Sequence, residues 1–95
     1  MVNKIIRFAA EWCAPCRAFA KTFEEVSNMD DFQDITFKTY DIEDEEGEGT
    51  MLAMKYGVKS IPTTVLLDEN DNVLYKVMGN VPKNTLIDNI NNTNT

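Results

Sequence analysis

The only two cysteines of this chain stand three positions apart, in Trp12-Cys13-Ala14-Pro15-Cys16. This is the spacing that lets two thiols on the first turn of a helix close into a disulfide and open again. It constrains the fold more than any other feature, because it needs a strand ending just before Trp12 and a helix starting at the cysteines. The flanks supply both. Val2 to Ala10 (VNKIIRFAA) is a mostly apolar run suited to a strand buried on both faces. Between Cys13 and Ser27, Phe19, Phe23 and Val26 recur at helical spacing. Pro15 falls in the first turn of that helix, where a missing N–H leaves no bond unmade.

The same rules read the rest of the chain. Ile35 to Ile42 alternates and is rich in β-formers, so it is a second strand. A short helix is predicted from about Thr50 to Tyr56, closed by Gly57, with Met51 and Met54 in the core. Thr64 to Asp68 and Val73 to Met78 are two strands joined by the polar turn Glu69-Asn70-Asp71-Asn72. Pro82 opens a last helix with Leu86, Ile87 and Ile90 on one face, and the polar tail Asn91 to Thr95 is expected to fray. The order is β-α-β-α-β-β-α, an α/β fold with a four-stranded mixed sheet and helices on both faces. Because the first two connections carry helices, the first three strands are predicted to run parallel, with the final hairpin adding an antiparallel edge. A chain of 95 residues without internal repeats reads as one domain, 1–95.

Charge and cysteine usage then narrow the function. Nine basic against sixteen acidic side chains leave a net charge of −7. That argues against nucleic acid or an anionic membrane as a partner, since both need a basic face. Lys4 and Arg7 interrupt the apolar N-terminal run and no long apolar stretch follows, so the expected location is cytoplasmic. In that compartment a disulfide is more often catalytic than structural. The pair would also be a poor staple, because the loop it closes is tiny. Zinc wants four ligands, and the chain has no histidine and no third cysteine. Neither a metal nor a bound cofactor is expected.

Three separated blocks carry a resemblance: Phe8-Ala9-Ala10-Glu11-Trp12-Cys13-Ala14-Pro15-Cys16, then Tyr56-Gly57-Val58-Lys59-Ser60-Ile61-Pro62-Thr63, then Gly79. In this order they resemble the thioredoxin family. The resemblance implies a thioredoxin-like fold and a thiol–disulfide oxidoreductase that reduces protein disulfides through a mixed disulfide. Its electrons would come from a partner such as a thioredoxin reductase. Residue by residue, it implies that Cys13 is the exposed nucleophile and Cys16 the buried resolving cysteine. Pro62 would be the cis-proline facing the disulfide, Ile61 would offer backbone groups to an extended substrate strand, and Gly79 would keep the neighbouring loop low. Trp12, Ala14, Pro15, Ile61 and Gly79 would form an apolar collar around Cys13. Asp41 or Glu43 would accept the indole N–H of Trp12. A cysteine at a helix N-terminus is independently favoured as the thiolate by unpaired N–H groups and the positive end of the dipole.

The chain also departs from the family pattern. It starts directly on the strand leading to the motif, so the second strand is expected at an open sheet edge. A monomer is expected, with a dimer through that edge as the alternative. Arg7 stands where thioredoxins keep a buried aspartate that shuttles the proton of the buried thiol. It is a candidate for tuning the thiol acidity, because a guanidinium aimed beneath the motif would stabilise a thiolate and make the pair more oxidising. The simpler expectation is that Arg7 extends to water, as long basic side chains do. Two other functions follow from these departures: an oxidase or isomerase of higher potential, and a non-catalytic protein-binding module built on the same fold.

Overall fold

All 95 residues are described by the structure, a computed structural model. In chain order it contains β1 (Lys4–Ala9), α1 (Ala14–Ser27), a 3-10 turn (Asp30–Phe32), β2 (Thr36–Asp41), α2 (Glu48–Lys55), β3 (Thr63–Leu67), β4 (Val73–Met78) and α3 (Lys83–Thr93). The four strands form one mixed sheet in the order β2-β1-β3-β4. β1 is therefore central, and β2 is an edge, as expected from the sequence.

β1 and β2 are parallel, with Arg7 opposite Thr39. β3 corrects the sequence reading: it runs antiparallel to β1, with Arg7 opposite Thr64. The reason lies in helix length. A six-residue strand is about 20 Å long. The 14 residues of α1 rise about 21 Å and carry the chain back along the whole sheet. The eight residues of α2 rise only about 12 Å, so the chain returns to the end it left and enters β3 pointing the other way. β4 then pairs antiparallel with β3, with a register shift at Leu66/Leu67.

Side chains of β1 alternate between the two faces. Ile5 joins Phe19, Phe23 and Val26 of α1 and Leu86 and Ile90 of α3 in the larger core cluster. Ile6 and Phe8 point the other way, against Ala53 of α2 and Tyr56, its C-cap. The strand is thus covered on both faces, as its apolar run implied. α2 lies close on the end of β2 because Gly49 has no side chain. A Cβ there would collide with the Asp41 carbonyl oxygen. The Thr50 hydroxyl, one residue on, donates to the Ile42 carbonyl and pins the same contact. Gly57, at φ +68°, ends the helix in the left-handed region.

Two further expectations are corrected. Residues 91–95 do not simply fray: α3 continues through Thr93, and the Asn94 side chain accepts from the Val2 backbone N–H at 2.7 Å. Burial of Ile90 and this long-range bond hold a segment whose composition alone is that of a loose tail. Met51 and Met54 are not core residues but are 70% and 77% exposed. A helix this short buries one stripe, here Gly49 and Ala53, and the methionines stand outside it. No helix is long and apolar enough to cross a membrane.

Candidate active site

β1 delivers the chain to the end of the sheet at Ala9, and α1 leaves from the same point. Between them Cys13 serves as the N-cap of α1, with extended backbone (φ −86°, ψ 106°). Its sulfur occupies the place an N-cap oxygen usually fills and accepts from the Cys16 N–H at 3.2 Å. Pro15 lies in the first turn. This geometry sets the two Cα atoms 5.2 Å apart, and Cys13 and Cys16 are joined as a disulfide. Negative charge developing on the Cys13 sulfur is met by the unpaired N–H groups and the positive dipole end of α1.

The disulfide sits among small side chains, packed against Ala9 and Ala10, with Ile61 partly covering it. Cys16 is 1% exposed, as expected of a buried partner. Cys13 was expected to be exposed, but in this closed form it is only 5% exposed. Its sulfur is drawn in toward Cys16 and lies 3.8 Å from the Ile61 carbonyl oxygen. The Ile61–Pro62 peptide bond is cis. Gly79 follows β4 at φ +90°, and its N–H donates to the Pro62 carbonyl at 2.8 Å. That bond ties the loop after β4 to the proline, and the left-handed backbone there favours glycine. Ala14 and Pro15 are exposed on the first turn of α1.

Trp12 is 64% exposed. Its indole N–H donates to Glu43 Oε1 at 2.6 Å, which identifies Glu43, rather than Asp41, as the acceptor. Asp41 instead accepts the Glu43 backbone N–H at 2.8 Å, which shapes the turn that presents Glu43. On one side of Trp12 a groove of about 400 Å³ runs toward α2, lined by Ile42, Ala53, Met54, Val58 and Ile61 among others. Met54 and Val58 are additions that sequence reasoning did not make. The signal was a methionine beside Lys55 on the outer stripe of a short helix, read there as core.

Arg7 corrects the simpler expectation. It does not stretch out to water. Its Nη1 donates to the Cys16 carbonyl at 3.1 Å and its Nε to Thr39 Oγ1 at 3.2 Å. The guanidinium carbon stands 5.6 Å from the centre of the Phe23 ring. Burial lowers its pKa from the ordinary guanidinium value. Register explains the placement: Arg7 points to the α1 side of β1 between Ile5 and Ala9, directly beneath the first turn of the helix. No group of three or more His, Cys, Asp or Glu side chains is arranged to hold a metal ion.

Comparison with known proteins agrees with this geometry. The thioredoxin family model matches residues 2–92. The thioredoxin of Rickettsia bellii is 36% identical over 88 residues, covering 93% of this chain and 78% of that protein. The thioredoxin of Mycoplasma genitalium is 33% identical over 90 residues, covering 95% and 81%. Among solved structures, the short form of spinach chloroplast thioredoxin f superposes with a TM-score of 0.80 at 25% identity, over 99% of this chain and 79% of that one.

Proposed function

This chain belongs to the thioredoxin family, and from that premise we propose that it is a cytoplasmic electron carrier acting on disulfides of other proteins and recharged by a thioredoxin reductase. Family membership with the redox-active cysteine pair makes it a thiol–disulfide oxidoreductase with protein-disulfide reductase activity. The electron pair is carried by the reduced Cys13 and Cys16 thiols of the protein itself, which are joined as the oxidised disulfide in this structure.

In the proposed cycle the Cys13 thiolate attacks one sulfur of a substrate disulfide. A Cys13–substrate bond forms, and the other substrate sulfur leaves as a thiolate that takes a proton from solvent. Cys16 then loses its proton and attacks the Cys13 sulfur. The Cys13–Cys16 bond closes, the Cys13–substrate bond breaks, and the substrate departs with two electrons more. The partner reductase returns two electrons and two protons to the pair. Trp12, Ala14, Pro15, Ile61, Pro62 and Gly79 border the attacking sulfur and receive the substrate segment. The whole chain works as one domain and as a monomer, its β2 edge being six residues long and carrying Lys38.

The observation that carries this reading is the Cys13 sulfur at the N-cap of α1, bonded to the Cys16 N–H and facing the cis Ile61–Pro62 bond. Insulin reduction coupled to NADPH oxidation by a thioredoxin reductase tests it. The intact chain is expected to turn over, and Cys13→Ser to be inactive. Cys16→Ser is expected to accumulate mixed disulfides with substrate. Activity surviving in Cys13→Ser would overturn Cys13 as the nucleophile, and no turnover by the intact chain would overturn the assignment and return the binding-module reading.

A further inference from the structure

Arg7 is a half-buried cation without a counter-ion. The single ion pair in the chain joins Lys4 and Asp71, far from it in the sheet. Two of the five guanidinium N–H groups have protein partners, Cys16 O and Thr39 Oγ1. A cavity of about 210 Å³ lies against the guanidinium and is also lined by Cys16, Ala20 and Thr39. The charged groups around it come from each neighbouring element: Glu11 from the turn before α1, Arg17 from α1 and Asp41 from β2. Neither carboxylate pairs with Arg7, and Arg17 donates to the Glu11 backbone carbonyl at 2.6 Å. On β3, Thr64 stands opposite Arg7, and its buried hydroxyl has no partner either. Burying a charge without a partner is costly, so such a group is expected where an opposite charge appears during function.

Only one step of the proposed cycle makes a negative charge there. Cys16 is buried, and an apolar setting raises the proton affinity of a thiol. To close the disulfide it must nevertheless become a thiolate. The chain has no histidine, and no side-chain base is hydrogen-bonded to Cys16. Of the charged groups around the cavity, only the Arg7 cation is hydrogen-bonded to Cys16 itself, through its carbonyl. We propose that Arg7 is a positioning residue for the resolving step, its uncompensated charge stabilising the Cys16 thiolate so that the thiol ionises without a carboxylate base. The proton leaves through the cavity, which is roomy enough for water and has Glu11, Thr39 and Asp41 among its lining residues. The thiolate then attacks the Cys13 sulfur, the Cys13–Cys16 bond forms, and the substrate sulfur leaves with the electron pair. Arg7 takes no proton and stays charged throughout.

This inference rests on the proposed role of Cys16 and has its own readout. In a Cys13→Ser background the only thiol is Cys16, and its ionisation is followed by thiolate absorbance against pH. Arg7→Met and Arg7→Gln are expected to raise the Cys16 pKa by about one unit, since an opposite charge nearby is worth that much or more. Arg7→Lys is expected to hold most of the shift. Gln retains a donor for the Cys16 carbonyl, so it separates charge from hydrogen bonding and guards against simple misfolding. In the two-cysteine protein, measured above the Cys16 pKa of both proteins, Arg7→Met should favour the disulfide about tenfold more against glutathione, a potential lower by about 30 mV. A Cys16 pKa indifferent to Gln, or a Lys variant behaving like Gln, overturns the inference. Wild-type insulin turnover is scored separately: its absence would overturn the functional reading, while the titration would still report on Arg7.

Discussion

On the face of the sheet covered by α1 and α3, ten buried residues, eight from the sheet and both helices with Val2 and Phe32 beside them, form one continuous cluster. On the face covered by α2 the cluster has six members, of which the helix contributes Ala53 and its C-cap Tyr56. The difference follows from the helices. α1 and α3 lie along the sheet and each buries a repeating apolar stripe, whereas α2 is short, approaches through Gly49 and turns its methionines outward. The thick face anchors the strand and helix that hold the cysteines. The thin face leaves apolar surface beside them, in the groove between Trp12 and Met54. Stability and recognition are therefore separated across one sheet, and the disulfide lies at the end where both are needed.

The largest expected effect tests the thick face. Phe19→Ala, at a fully buried position, should cost about 3–5 kcal/mol in urea unfolding. Met54→Ala should change stability by less than about 0.5 kcal/mol yet raise KM for a protein substrate with kcat little changed. A loss of stability at Met54 comparable to that at Phe19 would erase the distinction between the faces. Next comes Gly49→Ala. Helix propensity alone favours alanine by about 1 kcal/mol, but the new Cβ meets the Asp41 carbonyl, and overpacking of this kind costs about 1–3 kcal/mol. Net destabilisation is expected. A stabilised variant would show that α2 is free to shift off the sheet.

Smaller effects sharpen the picture at the rim. Glu43→Ala removes the acceptor of the Trp12 indole, an exposed bond worth about 1 kcal/mol or less. The sole tryptophan reports the change directly as altered fluorescence, with the unfolding midpoint nearly constant. The smallest effect concerns pH. The Asn72 backbone N–H, with help from the Asn72 side chain and the Asn70 N–H, holds the Asp68 carboxyl below its ordinary 3.8. A lowered folded pKa contributes stability that is present above the ordinary value and lost as pH falls through the folded one. Asp68→Asn should therefore flatten the dependence of the thermal midpoint on pH below about 4. An unchanged acid limb would mean that the β3–β4 turn contributes nothing to it.

Much of this was legible in the sequence. The periodicity of Phe19, Phe23 and Val26 and the run from Val2 to Ala10 set strand, helix and core, because period and burial are local properties. Cys13, Cys16, Ile61, Pro62 and Gly79 were found as separate motifs and are brought together at one end of the sheet. The direction of β3 was misread because a helix was equated with a crossover, without asking whether eight residues could span the sheet. Met51 and Met54 were misread because hydrophobicity does not say which stripe of a short helix faces in. The burial of Cys13 accompanies the closed disulfide and its packing against Ala9, Ala10 and Ile61, contacts between elements that a local motif does not state. Arg7 was misplaced for a different reason. Its partners are Thr39, across a parallel pairing 32 positions away, and a backbone carbonyl on the next element. Such a setting depends on register, which composition and spacing do not reveal.

The bond between Val2 and Asn94 has a practical side. It holds residues near both ends of the chain at the start of β1, while the disulfide lies beyond the other end of that strand, about 20 Å away along its six residues. A tether, affinity handle or electrode linker attached at either end would thus leave the disulfide end of the molecule unobstructed. The same closeness suits circular permutation: a short peptide could join the two ends, and new ends could be opened in the Glu69–Asn72 turn without cutting the strand and helix that carry the cysteines.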